Sequence, residues 1–223
     1  MVLIAIDTSG KNGSLALARV PAEQDKLEVL EITPLAGGTF SAQLVPQLAA
    51  LLDKHGYRKT DIAGFAVVSG PGSFTGLRVG LAAVKALAET LHKPIAAIPL
   101  LEAVCRSGPS HGRVFSALDA GRTQLYVGDY DLDAGQMRSE RLLSREEFGA
   151  EHGGRLLRTP DPQIVEYARS AGIEVQLVDY PRTDVIARLG WERIQRGETV
   201  TSEALEADYI RRSDAEIFSQ PKA

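Results

Sequence analysis

Cysteine, tryptophan and histidine are scarce in this 223-residue chain, with one, one and four of them. The lone Cys105 excludes an internal disulfide and fits a reducing compartment. His55, His92, His111 and His152 are scattered, with no pair at i, i+4 and no H-E-x-x-H, so no zinc-type pattern exists. Each reads as an ordinary loop or helix-end residue. No serine sits in G-x-S-x-G, which removes the nucleophile elbow. No run of about 18 apolar residues occurs, which argues against a membrane-spanning helix. The opening MVLIAIDTS lacks a basic leader followed by a long apolar run, which predicts a cytoplasmic protein with no secretory signal. An excess of positive charge is also missing. With 25 Lys and Arg against 29 Asp and Glu the formal net charge is −4, so no overall electrostatic pull draws the chain to RNA or DNA. What is present is an ordinary soluble balance, 44% hydrophobic and 24% charged, able to bury a real core.

The order of segments is informative. VLIAID (2–7) is a short apolar run ending in aspartate. SLALARV (14–20) follows across GKNG, the pattern of a β-hairpin, and the alternation in LEVLEIT (27–33) adds a third antiparallel strand. SAQLVPQLAALLDKH (41–55) has apolar residues at 44, 45, 48, 51 and 52, a helical period, although Pro46 suits only its first turn. IAGFAVVSG (62–70) is a buried strand feeding the helix of residues 76–91. PIAAIPL (94–100) is another strand, and LLEAVCRS begins a further helix. Then the opening design returns. VFSALDAGRTQLYVGDYD (114–131) repeats the strand–Asp–turn–strand unit about 110 residues later, with Asp119 in the place of Asp7, and Leu125 and Val127 in the places of Leu15 and Leu17. This predicts a duplicated αβ fold, with lobes at 1–108 and 109–223. Residues 132–160 show no clear period. IVEYARSAG (164–172) reads as a helix, EVQLVD (174–179) as a strand, TDVIARLGWERIQRG (183–197) as an amphipathic helix, and EADYIRRSDAEIFSQPKA as a fraying tail.

The loudest stretch is SGPGSFTGLRVGLAAVKALAETL (69–91), with Gly72, Gly76 and Gly80 spaced by four. A Walker loop would need lysine and a hydroxyl residue after its last glycine. A dinucleotide loop would need glycine where Thr75 stands. Neither cradle is present. Ser73 can still cap the helix, and free N–H groups there could hold an anion. Around the helix, Arg78, Lys85 and Glu89 share one polar edge. Leu77, Leu81, Val84, Ala88 and Leu91 form one apolar face, while Gly76, Gly80, Ala83 and Leu87 form a second face of small residues. One apolar stripe is normal for a surface helix. The second predicts close approach by another helix, either from this chain or from a partner. Asp7 and Asp119, each at a strand end, have two readings. They could hold a metal-bound phosphate, as in ribonuclease-H-like sites, or they could cap the following turn. Turn capping is preferred for Asp119, and both readings stand for Asp7. If a nucleotide bound here, Asp7, Thr8 and Ser73 are the residues available to it.

IAIDTS, FSAQLVP, GPGSFTGLRVGLAAVKALA, PLLEAV and ALDAGRTQLYVG, in that order over about residues 2–130, resemble the TsaB (formerly YeaZ) family, and EADYIRR extends the likeness loosely to the end of the chain. The resemblance implies an α/β fold of two ribonuclease-H-like lobes of the actin/Hsp70/sugar-kinase type, the second lobe reduced. It further implies a non-catalytic subunit that supports a TsaD-like catalytic protein. With a TsaE-like ATPase, that machinery places threonylcarbamoyl on adenosine 37 of tRNAs reading codons that start with A. By this resemblance the partner surface lies on helices of the N-terminal lobe. It would use Leu44, Gln47, Leu48 and Leu51 on one helix and Gly76, Val79, Gly80, Ala83 and Leu87 on the other, and a homodimer is a further partner state open to the chain. tRNA would be met only through the complex, with no cofactor in the isolated chain and a nucleotide conceivable at the complex interface. TsaD carries its metal in H-M-E-G-H. Here that segment reads Leu100-Leu101-Glu102-Ala103-Val104, and leucine and valine ligate no metal. Many relatives have histidine where this chain has Phe40. Readings as a glycoprotease-type peptidase or as a small-molecule kinase of the same fold are weaker. The first lacks metal ligands and a nucleophile signature. The second has little room in a short second lobe, and Ser9 stands where such kinases usually place glycine.

Overall fold

A computed structural model describes residues 1–20, 26–109 and 111–210. Two five-stranded sheets carry the chain, and both repeat one topology. The first is ordered β3-β2-β1-β4-β5, from β1 (Val2–Asp7), β2 (Gly13–Arg19), β3 (Glu28–Leu35), β4 (Ile62–Gly70) and β5 (Ile95–Pro99). β1 pairs antiparallel with β2, from Val2↔Arg19 to Asp7↔Ser14, and parallel with β4. The second is ordered β10-β9-β6-β7-β8, from β6 (Arg113–Gly121), β7 (Gln124–Asp131), β8 (Gln136–Ser144), β9 (Leu157–Thr159) and β10 (Val175–Leu177). Here β6 pairs antiparallel with β7 and parallel with β9. Each sheet thus has an antiparallel meander followed by two parallel strands. These are the two ribonuclease-H-like lobes that the repeat around Asp7 and Asp119 predicts.

β1 is buried at all six positions, as a continuous apolar run requires when both faces of a sheet are covered. Helices α1 (Phe40–Lys54) and α2 (Phe74–Leu91) pack on each other within this unit. Pro46 lies inside α1 rather than in its first turn, and Leu44, Leu48, Leu51 and Leu52 are buried along the helix. The short α3 (Leu100–Cys105) follows β5.

The C-terminal helix α6 (Thr183–Gln195) corrects the predicted boundary. The chain divides into one unit of Met1–Ala103 with Pro181–Ala207 and a second built on Val104–Tyr180. α6 contacts β1, β2, β4 and β5 and buries Ile186, Ala187, Leu189 and Gly190. A Cβ on Gly190 would come 2.2 Å from the Cβ of Ala66, so glycine is what lets this helix lie so close to the sheet. Arg193 ties the same helix to Glu102 by an ion pair and to the Ala97 carbonyl by a hydrogen bond. Residues 183–197 therefore complete the first lobe although they follow the second in sequence. The rest of the predicted fraying tail, residues 211–223, lies outside the described residues.

In the second unit Phe115, Leu125, Val127, Leu143, Phe148, Leu157, Ile164 and Ala168 form the core. Phe148 meets Phe115 edge-on at 5.5 Å between ring centroids. Residues 132–160, which show no period in sequence, contain β8, α4 (Arg145–Glu151) and β9. β8 is a sheet edge with only Leu143 buried, so no apolar alternation marks it. The start of α4 did carry a signal. Ser144 and Glu147 form a reciprocal capping box ahead of Phe148. α5 (Pro162–Ser170) and β10 follow close to the places the sequence indicates.

Candidate functional site

The glycine-rich turn closes on its own chain. Ser73 caps α2, its Oγ accepting from the Gly76 N–H at 3.3 Å, while the Ser73 N–H donates to the Ser9 carbonyl at 2.7 Å. The Thr8 hydroxyl donates to the Gly76 carbonyl at 2.8 Å. A Cβ on Gly72 would lie 2.6 Å from the Ser9 carbonyl oxygen, one on Gly76 2.1 Å from that of Thr8, and one on Gly80 2.3 Å from Thr8 Oγ1. Real side-chain atoms do not approach so closely. The three glycines spaced by four are therefore seats for the end of β1. Gly76 and Gly80, expected on the partner surface, face Thr8 instead. The small-residue face predicted for α2 is, at these two positions, an internal contact.

Asp7, Thr8 and Ser73 do come together, but their polar atoms serve one another's segments. Asp7 is buried, and its Oδ1 accepts from the Ser9 N–H at 2.8 Å and the Ser9 hydroxyl at 2.6 Å. Burial raises the Asp7 pKa above the ordinary aspartate value, and the Ser9 bonds only partly oppose this. Asp119 is exposed and accepts from the Gly121 N–H at 3.2 Å, the turn-capping role preferred for it. Leu100 and Val104, which the resemblance sets against metal-binding histidines, are 2% and 0% exposed within apolar packing. Among the described residues no group of three or more His, Cys, Asp or Glu is placed to hold a metal ion. Phe40 is buried, with its ring beside Gly13 at the start of β2.

The Asp7 environment has a testable consequence. A carboxyl whose folded pKa is raised favours the protonated folded state, so its effect on stability worsens as pH rises through that pKa. Asp7→Asn keeps an acceptor for Ser9 and removes the charge. Thermal unfolding should show the variant to be more stable than the parent at pH 7, with the gap closing as pH falls towards 4. A less stable variant at pH 7 would contradict the assignment of burial as the dominant cause.

Among the described residues this lobe exposes an apolar groove of about 470 Å³ between α1 and α2, lined among others by Leu44, Val45, Phe74, Val79, Ala82 and Ala83. Val45 is 50% and Phe74 39% exposed, and the Arg78 guanidinium lies 3.7 Å above the Phe74 ring. Three residues expected at a partner surface, Leu44, Val79 and Ala83, line it. Leu48 and Leu51 do not, because α1 turns that stripe into its own core, where they are 4% and 3% exposed. Gln47 is exposed and Leu87 half-buried, and neither lines the groove. Ser41, Val45, Phe74, Thr75, Arg78 and Ala82 also line it and were not among the expected residues. Val45 and Phe74 had a signal available, as large apolar residues lying off the core stripes of their helices.

A family model described as TsaD, tRNA N6-adenosine threonylcarbamoyltransferase, matches residues 34–148 of the chain. The TsaB tRNA threonylcarbamoyladenosine biosynthesis protein of Bacillus subtilis is 27% identical over 97% of the chain and 96% of its own length. A tRNA N6-adenosine threonylcarbamoyltransferase of an Anaeromyxobacter species is 30% identical over 77% of the chain but only 56% of its own length. Among solved structures, YeaZ from Pseudomonas aeruginosa superposes with a TM-score of 0.73 at 25% identity, covering 93% of the chain and 99% of its own.

Proposed function

We infer the function from one premise: the chain belongs to the TsaB (YeaZ) family, within the wider TsaD group. Membership gives it a role in the biosynthesis of threonylcarbamoyladenosine in tRNA. Within that role the chain acts as a non-catalytic subunit of the cytoplasm. It binds a TsaD-type transferase through the α1–α2 groove, while a TsaE-type ATPase completes the machinery and tRNA is engaged by the assembled complex. Any nucleotide belongs to that assembly rather than to this chain. The observation that carries this reading is the groove itself. Its half-exposed valine and phenylalanine are an apolar surface in search of cover, on a lobe whose glycine turn is filled by Thr8 and Ser9. Leu100 and Val104 support the non-catalytic part, since neither can ligate a metal. The net charge of −4 supports the indirect contact with tRNA, because it offers little counterion release.

Reconstitution tests this. Threonylcarbamoyl transfer to tRNA should be absent with this chain alone and should rise when it is added to its TsaD-type and TsaE-type partners. Transfer by the purified chain alone, or full activity of the partners without it, would contradict the reading.

A further inference from the structure

The second unit holds a buried cation that the proposed function does not use. Arg158, in the middle of β9, is 1% exposed. Its Nη1 donates to the Cys105 carbonyl at 2.6 Å and its Nε to Gln176 Oε1 at 3.0 Å. Both acceptors are neutral. Among the described residues no carboxylate pairs with Arg158 and its Nη2 has no hydrogen-bond partner. The backbone of Gly108 lies against the guanidinium, since a Cβ there would come 2.6 Å from Nε.

Ser116 on β6 and Gln176 on β10 are the register partners of Arg158 on either side. Register partners on adjacent strands are about 4.8 Å apart and share a sheet face. The three therefore form one polar row across the sheet. Ser116 is 0% exposed, and its hydroxyl has no hydrogen-bond partner. Gln176, whose oxygen is taken by Arg158, keeps its NH₂ group as a donor. A buried charge that meets only neutral acceptors and a buried hydroxyl with no partner are each costly. Finding both in one row points to a group that satisfies them together.

We propose that Ser116, Arg158 and Gln176 form a binding site for a small oxyanion, a phosphate or carboxylate group. Arg158 supplies the charge and its free Nη2 donors, and Ser116 supplies a hydroxyl donor. Guanidinium groups match these oxyanions in geometry as well as charge. Burial pulls the Arg158 pKa down, with the neighbouring Cys105 opposing it in part, and a bound anion would offset the cost of burial. All of the residues belong to the second unit, and the proposal does not depend on the function proposed above.

Thermal unfolding of the full chain tests the site, with sodium phosphate or sodium acetate replacing chloride at constant ionic strength. The expected result is a saturable rise in Tm with at least one of them, and the anion that saturates identifies the class of oxyanion. Ser116→Ala removes only an orphan hydroxyl from the empty protein, so the variant should fold, while its half-saturating concentration rises roughly tenfold. Arg158→Gln should abolish the response. If that variant does not fold, the Ser116→Ala result decides. The proposal is overturned if neither anion produces a saturable rise, as when an internal water fills the row, or if Ser116→Ala saturates at the same concentration as the parent.

Discussion

Gly76→Ala is expected to destabilise the isolated protein by on the order of 3 kcal/mol, a large share of a typical stability of about 5–15 kcal/mol. Helix propensity alone predicts the opposite sign, because alanine is favoured over glycine inside a helix by about 1 kcal/mol. The contact decides. The new methyl would meet the Thr8 carbonyl oxygen at 2.1 Å, and backbone cannot swing aside as a side chain can. The Thr8 hydroxyl bond to the Gly76 carbonyl would be lost with it. Gly80→Ala offers the informative contrast. Its clash is with Thr8 Oγ1 at 2.3 Å, a side-chain atom, so adding Thr8→Ala should restore much of the stability lost at Gly80 and none of that lost at Gly76. Urea unfolding of the four variants measures this. A Gly76→Ala protein as stable as its parent would mean that α2 does not rest on Thr8.

Val45→Asp should leave the monomer folded and weaken its association with the TsaD-type partner by about 30-fold or more. The residue is half exposed, so the change costs the monomer little, within about 0.5 kcal/mol. A carboxylate at the centre of an apolar contact must be desolvated without a partner, a loss of 2 kcal/mol or more when the position is central to the interface. Gln47→Asp on the same helix adds the same charge outside the groove lining, and its effect should be small. Titration calorimetry of the two variants against the partner separates the groove from the helix as a whole. Equal losses would show that charge on α1, and not the groove, governs binding.

These two predictions mark what could and could not be read in the sequence. The duplicated fold was legible because strand–Asp–turn–strand is a local pattern and occurs twice. β4 was legible as a continuous apolar run and the glycine helix by its period. The purpose of the glycines was not, since they accommodate Thr8 and Ser9, far back in the chain, Thr8 lying 68 positions before Gly76, and a facing helix explained the same small face. The return of α6 to the first lobe was hidden for a similar reason. Its amphipathic pattern demands an apolar partner but does not say which sheet provides it. β8 was lost because an edge strand needs no apolar face. On α1, the period correctly marked Leu44, Leu48 and Leu51 as one stripe. Whether that stripe met a partner or the chain's own core depended on packing that periodicity does not encode, and the core took it. The large apolar residues left exposed between the two helices are Val45 and, across the groove, Phe74.

The most direct measurement is the mass in solution of this chain mixed with the TsaD-type protein of the same cell, by light scattering behind size exclusion. The account predicts a species heavier than either protein alone that contains both, and its loss when Val45→Asp replaces the parent. Two separate peaks at the masses of the unmixed proteins would contradict it.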